Sequence, residues 1–167
     1  MNDSERNLRS NCPVNFGLES FGDKWSLLII RDIVFWGKRK YGDFLDSDER
    51  IATNILAARL SQLEQEGILV KSPDPVDKRR DVYSLTEKGL ELIPLLVEII
   101  SWSGKLEEWQ TVGGRTPPQQ IAAIKKFATA KDKSKIVDEI KRVVRRGGYY
   151  FEGVEQPKNP RIKRKRN

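Results

Sequence analysis

The 167-residue chain has no histidine and a single cysteine, Cys12. Without histidine, the commonest general base at neutral pH and the commonest metal ligand are missing. One cysteine can neither close an internal disulfide nor build the thiolate cluster of a structural zinc site. No Gly-x-Gly-x-x-Gly or Gly-x-x-x-x-Gly-Lys segment offers a phosphate cradle, and no isolated pair of carboxylates sits in an apolar setting. Enzymatic chemistry is therefore not expected, nor is a cofactor or a metal. Apolar runs long enough to span a bilayer are also missing. The opening Met-Asn-Asp-Ser-Glu-Arg lacks the basic-then-apolar order of a secretion signal. A cytoplasmic protein fits these absences.

Hydrophobic residues make up 38% of the chain and charged residues 33%, which predicts one modest core beneath much solvated helix surface. The formal charge of +7 is unevenly placed. Residues 157–167 carry six basic side chains (Lys158, Arg161, Lys163, Arg164, Lys165, Arg166) and no acid, which leaves +1 for residues 1–156. The global charge thus says little about the folded part. The tail suits nucleic acid, and equally a solubilising end.

The most informative stretch runs from Arg50 to Gly67. Leu56, Leu60 and Leu63 recur at the spacing of a buried helical stripe, and Gly67 stands where a left-handed residue would end the helix. Asn54, Ala57, Ala58 and Ser61 fall on the other side. Such a face is small and neutral where a solvated helix normally carries Lys and Glu. Asn can bond an adenine edge twice, and Thr or Ala methyls can touch a thymine methyl. Thr53, Asn54, Ala57 and Ser61 are the candidate base-facing residues. A helix packed against another helix would show the same small residues.

Around that helix the order of elements is legible. Phe16 to Phe35 predicts a short helix and a longer, largely buried one, with a break at Gly22-Asp23, an Asp23 cap and an end at Gly37. Tyr41, Phe44 and Leu45 predict a short helix to Ser47, preceded by the basic cluster Lys38-Arg39-Lys40. After Gly67 the period changes to that of a β-hairpin, with a cationic tip at Lys78, Arg79 and Arg80. Thr86 is a plausible cap for a helix over about 87–110 that Pro94 should kink or split. That helix carries more apolar surface than one chain should bury, since Leu92, Leu95, Ile99 and Trp102 sit off its main stripe. The organisation expected is an N-terminal arm (1–15), a helix-turn-helix domain with a wing (16–110), a linker (111–118), a helical extension (119–153) and a basic tail (154–167). The fold class is mainly α with a small β-hairpin, an α+β winged helix-turn-helix with a helical C-terminal extension. In that arrangement the long helix reads bases. Lys78, Arg79 and Arg80 reach the sugar-phosphate backbone on one side, and Arg39, Lys40 and Tyr41 clamp it on the other.

Cys12-Pro13, Gly22-Asp23-Lys24-Trp25-Ser26-Leu27-Leu28-Ile29-Ile30-Arg31-Asp32, Arg39-Lys40-Tyr41-Gly42-Asp43-Phe44, Ile51 to Leu60, Leu63-Glu64 and Tyr83 to Gly89 together resemble the HxlR-type transcriptional regulators, winged-helix proteins related to the MarR group. The resemblance covers roughly residues 12–110. It implies binding to inverted-repeat double-stranded DNA, regulation of transcription (repression first) and a homodimer. The first helix and the helix after the wing would form its interface: Phe16, Leu18, Leu90, Ile93, Val97, Ile100, Leu106 and Trp109. Ala52 stands where many relatives carry Ser. Arg59 matches a family arginine, but its place on the wheel makes it a partner for Asp or Glu. Cys12 matches a position that some relatives use as a redox sensor and others carry without sensing. Alternatives to a DNA-binding regulator are a protein-interaction module on the same scaffold and a regulator that senses redox state through Cys12. An unknown small-molecule effector also remains open, with Trp102, Trp109, Tyr149, Tyr150 and Phe151 as candidate walls.

Overall fold

The computed structural model describes residues 9–10, 12–107, 109 and 118–154. The expected linker (apart from 118) and the tail beyond 154 lie outside them. The helices are α1 (Pro13–Phe21), α2 (Ser26–Trp36), α3 (Tyr41–Leu45) and α4 (Thr53–Gln65). A two-stranded antiparallel hairpin follows, β1 (Leu69–Pro73) with β2 (Asp81–Leu85), in the register Leu69 opposite Leu85. After it come α5 (Glu87–Leu90), α6 (Ile93–Ser103), α7 (Pro118–Thr129) and α8 (Ser134–Arg145). This is the mainly α fold with a small hairpin that the sequence predicts.

Local chemistry sets the boundaries. Asp23 accepts hydrogen bonds from the amides of Trp25 (2.8 Å) and Ser26 (3.1 Å), which caps the start of α2. Gly37 ends that helix at φ 66°. Gly67, at φ 65°, ends α4 in a Schellman motif: the amide of Ile68 donates to Leu63 O and that of Gly67 to Glu64 O, both at 2.9 Å. The Thr86 hydroxyl oxygen accepts from Gly89 N (3.1 Å) and donates to Gly67 O (2.6 Å), which joins the start of α5 to the end of α4. The helix expected over 87–110 is split before Pro94, which takes a first-turn position of α6 that requires no amide donor.

One core unites these elements. Ile29, Ile30, Ile33, Val34 and Phe35 of α2 pack with Leu56, Leu60 and Leu63 of α4 and with Ile93, Leu96 and Val97 of α6. Phe127, Ile136, Ile140 and Val144 of α7 and α8 belong to the same cluster. The C-terminal helices therefore share the core of the winged helix. They pack on α6, and beyond them the chain returns to α2. The amides of Tyr150 and Phe151 donate to Val34 O (2.9 Å) and Phe35 O (3.2 Å), carbonyls the last turn of α2 would leave unpaired. Phe151 lies 5.6 Å from Phe35 and 5.1 Å from Trp36, ring centre to ring centre. Ion pairs Lys133–Glu98, Lys141–Glu91 and Arg145–Glu87, at 2.8–3.0 Å, line the seam between α8 and the α5–α6 segment. Their solvent exposure makes each worth about 0–1 kcal/mol, so apolar burial holds the seam and the charges align it.

This arrangement corrects part of the expected dimer face. Leu90, Ile93 and Val97 are only 2%, 0% and 0% exposed within one chain. Their stripe faces the chain's own core, so they are not free to meet a second copy. Ile100, Leu106 and Trp109 are half-buried. Phe16 and Leu18 are open to solvent, as are Ile99 and Trp102, the latter 65% exposed.

Candidate nucleic-acid interface

The α4 helix has two unlike faces. Leu56, Leu60 and Leu63 are at most 2% exposed, whereas Thr53, Asn54, Ala57, Ala58 and Ser61 are all exposed. At about 100° per residue the four candidate base-facing positions lie within roughly a 100° arc. Glu64 and Gln65 follow toward the C-terminal end, so the uncharged part of the face is its first two turns. No side chain caps the start of α4, where Ala52 stands.

The helix is held from both ends. The Tyr41 hydroxyl donates to Thr53 O at 2.7 Å. Arg59, half-buried on the flank, pairs with Asp23 at 3.4 Å and donates to the Gln62 side chain. Arg59 is thus a structural partner of an aspartate, as its helical position predicts. Ahead of α4 lies a buried polar network that the sequence reading missed. Asp32 is 2% exposed and accepts from Arg31 (2.7 Å), Lys38 (3.1 Å) and the Ser47 hydroxyl. Arg31 also forks onto Glu49, at 2.6 and 2.9 Å. Burial lowers the Arg31 pKa but the bonds to Glu49 and Asp32 more than offset it, so its guanidinium is held more firmly protonated than usual. Burial pushes the Glu49 carboxyl up and Arg31 pulls it further down, to a net position below its ordinary value. The network pins the turn into α4 to α2. The alternation of Arg31-Asp32 with Lys38 and Glu49 was the available signal, but sequence alone does not pair charges across a turn.

The basic residues divide into two groups. Those before α3 are engaged inside the protein. Arg39 donates from its guanidinium to Gly148 O at 3.1 Å, and burial pushes that guanidinium down from its usual pKa. Lys40 pairs at 2.5 Å with the buried Asp74 at the base of the wing, and the Tyr41 hydroxyl proton is committed to Thr53. The expected clamp of Arg39, Lys40 and Tyr41 is therefore a brace between α3, the wing and the C-terminal segment. A phosphate would have to replace these bonds. The wing tip is different. Lys78, Arg79 and Arg80 are all exposed. Arg79 and Arg80 share Asp77, at 2.9 and 3.4 Å, and Lys78 has no ion-pair partner among the described residues. Three cations against one carboxylate leave the tip positive. Its base is tied down: Asp74 N donates to Arg80 O (2.8 Å), and Tyr83 N donates to Arg39 O (2.8 Å), which adds a third extended segment beside β2.

Cys12, the candidate redox position, is exposed just before α1, and hydrogen bonds from the Asn15 and Val14 amides hold its thiol below the ordinary value. No metal-binding cluster occurs among the described residues, and none of their helices is long and apolar enough to cross a membrane.

Comparison with known proteins places this geometry. A family model described as an HxlR-like helix-turn-helix matches residues 20–111. An uncharacterized HTH-type transcriptional regulator of Synechocystis sp. is 37% identical over 86 residues, 52% of this chain and 63% of its own length. The chain thus matches less than two thirds of that relative. The crystal structure of PA1607, described as a transcription factor, is similar at 41% identity with a TM-score of 0.54, covering 59% of this chain and 68% of its own. The redox regulator HypR, in its oxidized form, is 28% identical with a TM-score of 0.52, covering 57% of this chain and 98% of its own.

Proposed function

The chain belongs to the HxlR-like helix-turn-helix family, and on that premise we propose that it is a homodimeric transcriptional repressor that binds an inverted-repeat operator. The observation that carries this reading is the outward, uncharged first half of α4 beside a positive wing. Thr53, Asn54, Ala57 and Ser61 meet base edges in the major groove. Lys78, Arg79 and Arg80 meet phosphates and set the register. Lys40, Tyr41 and Arg59 position these surfaces without touching the duplex. Self-association is supported by apolar side chains left open on α1 and α6, namely Phe16, Leu18, Ile99 and Trp102.

The test is fluorescence anisotropy with a labelled duplex carrying the protein's own promoter, against excess unrelated DNA at several salt concentrations. Retention that survives the competitor and falls steeply with salt supports the proposal. No retention at any protein concentration refutes it. Charge reversal at Lys78, Arg79 and Arg80 should abolish retention. A protein partner captured by both forms alike would favour an interaction module instead.

One observation favours a redox input to this function: the exposed Cys12 with its lowered thiol pKa, in a chain similar to a protein named a redox regulator. Peroxide should then weaken duplex binding by the wild type and leave Cys12→Ser unaffected. Equal responses from both would remove Cys12 from the mechanism.

A further inference from the structure

A pocket of about 480 Å³ opens between α2, α6 and α7, a size common to small-molecule sites. Its wall combines two chemistries. Phe35, Trp36, Trp109, Phe127 and Phe151 supply aromatic surface. The mouth carries the carboxylates of Asp32, Asp46, Asp48 and Glu49 against the cations Arg31 and Lys38. Both cations are already bound, Arg31 to Glu49 and Asp32, Lys38 to Asp32. Four carboxylates against two cations give the lining a formal excess of two negative charges.

A second, independent observation points to a guest. Gln120 lines the pocket from α7, is only 7% exposed, and its amide nitrogen is buried without a hydrogen-bond partner among the described residues. A buried donor left unpaired is costly, and an acceptor on a bound molecule would relieve that cost. The α7 wall and Phe151 lie outside residues 20–111, so the family match does not account for this cavity.

We infer that the pocket is a binding site for a small aromatic cation carrying a hydrogen-bond acceptor. Ring faces attract a cation through their quadrupoles, and the acidic mouth favours the same sign. An anion would meet the excess of carboxylates and no uncommitted cation at the mouth. A neutral guest would fill the aromatic space and leave the charge unused. The mouth is the turn that leads into α4, so the site stands immediately ahead of the groove-facing helix.

Rhodamine 6G, an aromatic cation with an ester carbonyl, serves as probe, and its anisotropy is read during titration with the full chain. Saturable binding at one dye per chain is expected. Tetraphenylphosphonium should compete for the site about tenfold better than neutral triphenylphosphine oxide, which has similar aromatic bulk. Asp48→Asn, a change at an exposed position, and Gln120→Leu should each weaken the dye at least about threefold, with folding checked by circular dichroism. Absence of saturation overturns the inference, as does equal competition by the charged and neutral compounds. Unchanged affinity in both variants overturns it too, because the dye would then sit elsewhere.

Discussion

Replacing Phe127 by alanine tests whether the C-terminal helices are part of the winged helix or an appendage to it. Phe127 is 1% exposed and belongs to the same core as α2, α4 and α6. Its ring lies 6.5 Å from Phe35 and 5.7 Å from Tyr150. Truncation of a buried phenylalanine costs about 3–5 kcal/mol. Part of this ring borders the pocket between α2, α6 and α7, so some contacts are absent already and the lower end, about 3 kcal/mol, is expected. For a chain of this size, about 2–4 °C is lost per kcal/mol, so Tm should fall by roughly 6–12 °C. Calorimetry, together with urea unfolding read by both tryptophan fluorescence and circular dichroism, checks this. A single transition that moves as a whole is the expected result. A loss below about 1 kcal/mol, or a separate early transition that leaves the main one in place, would refute the shared core.

Three further outcomes follow from single positions. Ala52→Ser restores a side-chain acceptor at the start of α4, where none exists, and should raise stability by about 0.5–2 kcal/mol in urea titration. Gly89→Ala would ordinarily help a helix, but its Cβ would come within 2.2 Å of Ile68 O. Overpacking of about 1–3 kcal/mol should therefore dominate, so the variant unfolds at lower urea. The Asp74 carboxyl is held below its ordinary pKa, first by Lys40 and then by the Val76 amide. A lowered folded-state pKa means that its contribution is complete above the unfolded value and is lost as pH falls through the folded one. Wild type should consequently lose more stability than Lys40→Met between neutral pH and about pH 3. Parallel acid curves for the two would contradict the pairing.

How much the sequence disclosed depended on whether the relevant partner was local. The stripe of Leu56, Leu60 and Leu63, the glycine at 67, the Thr86 cap and the break at Pro94 are all set by neighbours within a turn or two, and each is found where its spacing predicts it. The outward Thr53 and Asn54 are the other side of the same periodicity. Leu90, Ile93 and Val97 show the limit. Periodicity identifies an apolar face but not what covers it, and here the chain's own core takes the stripe, leaving Ile99 and Trp102 exposed. Arg39 shows it again, since its carbonyl partner Gly148 is 109 positions away. Lys40 and Asp74 are likewise too far apart in sequence for their ion pair to be read from either segment.

The central claim is that the exposed first turns of α4 read DNA sequence. Selection of bound duplexes from a random library, with the wild type and with Asn54→Ala, tests it most directly. The account predicts an enriched inverted repeat for the wild type, its half-sites about one helical turn apart, with preference at one base pair per half-site relaxed in the variant. No enriched sequence, or the same sequence enriched equally by both proteins, would contradict it.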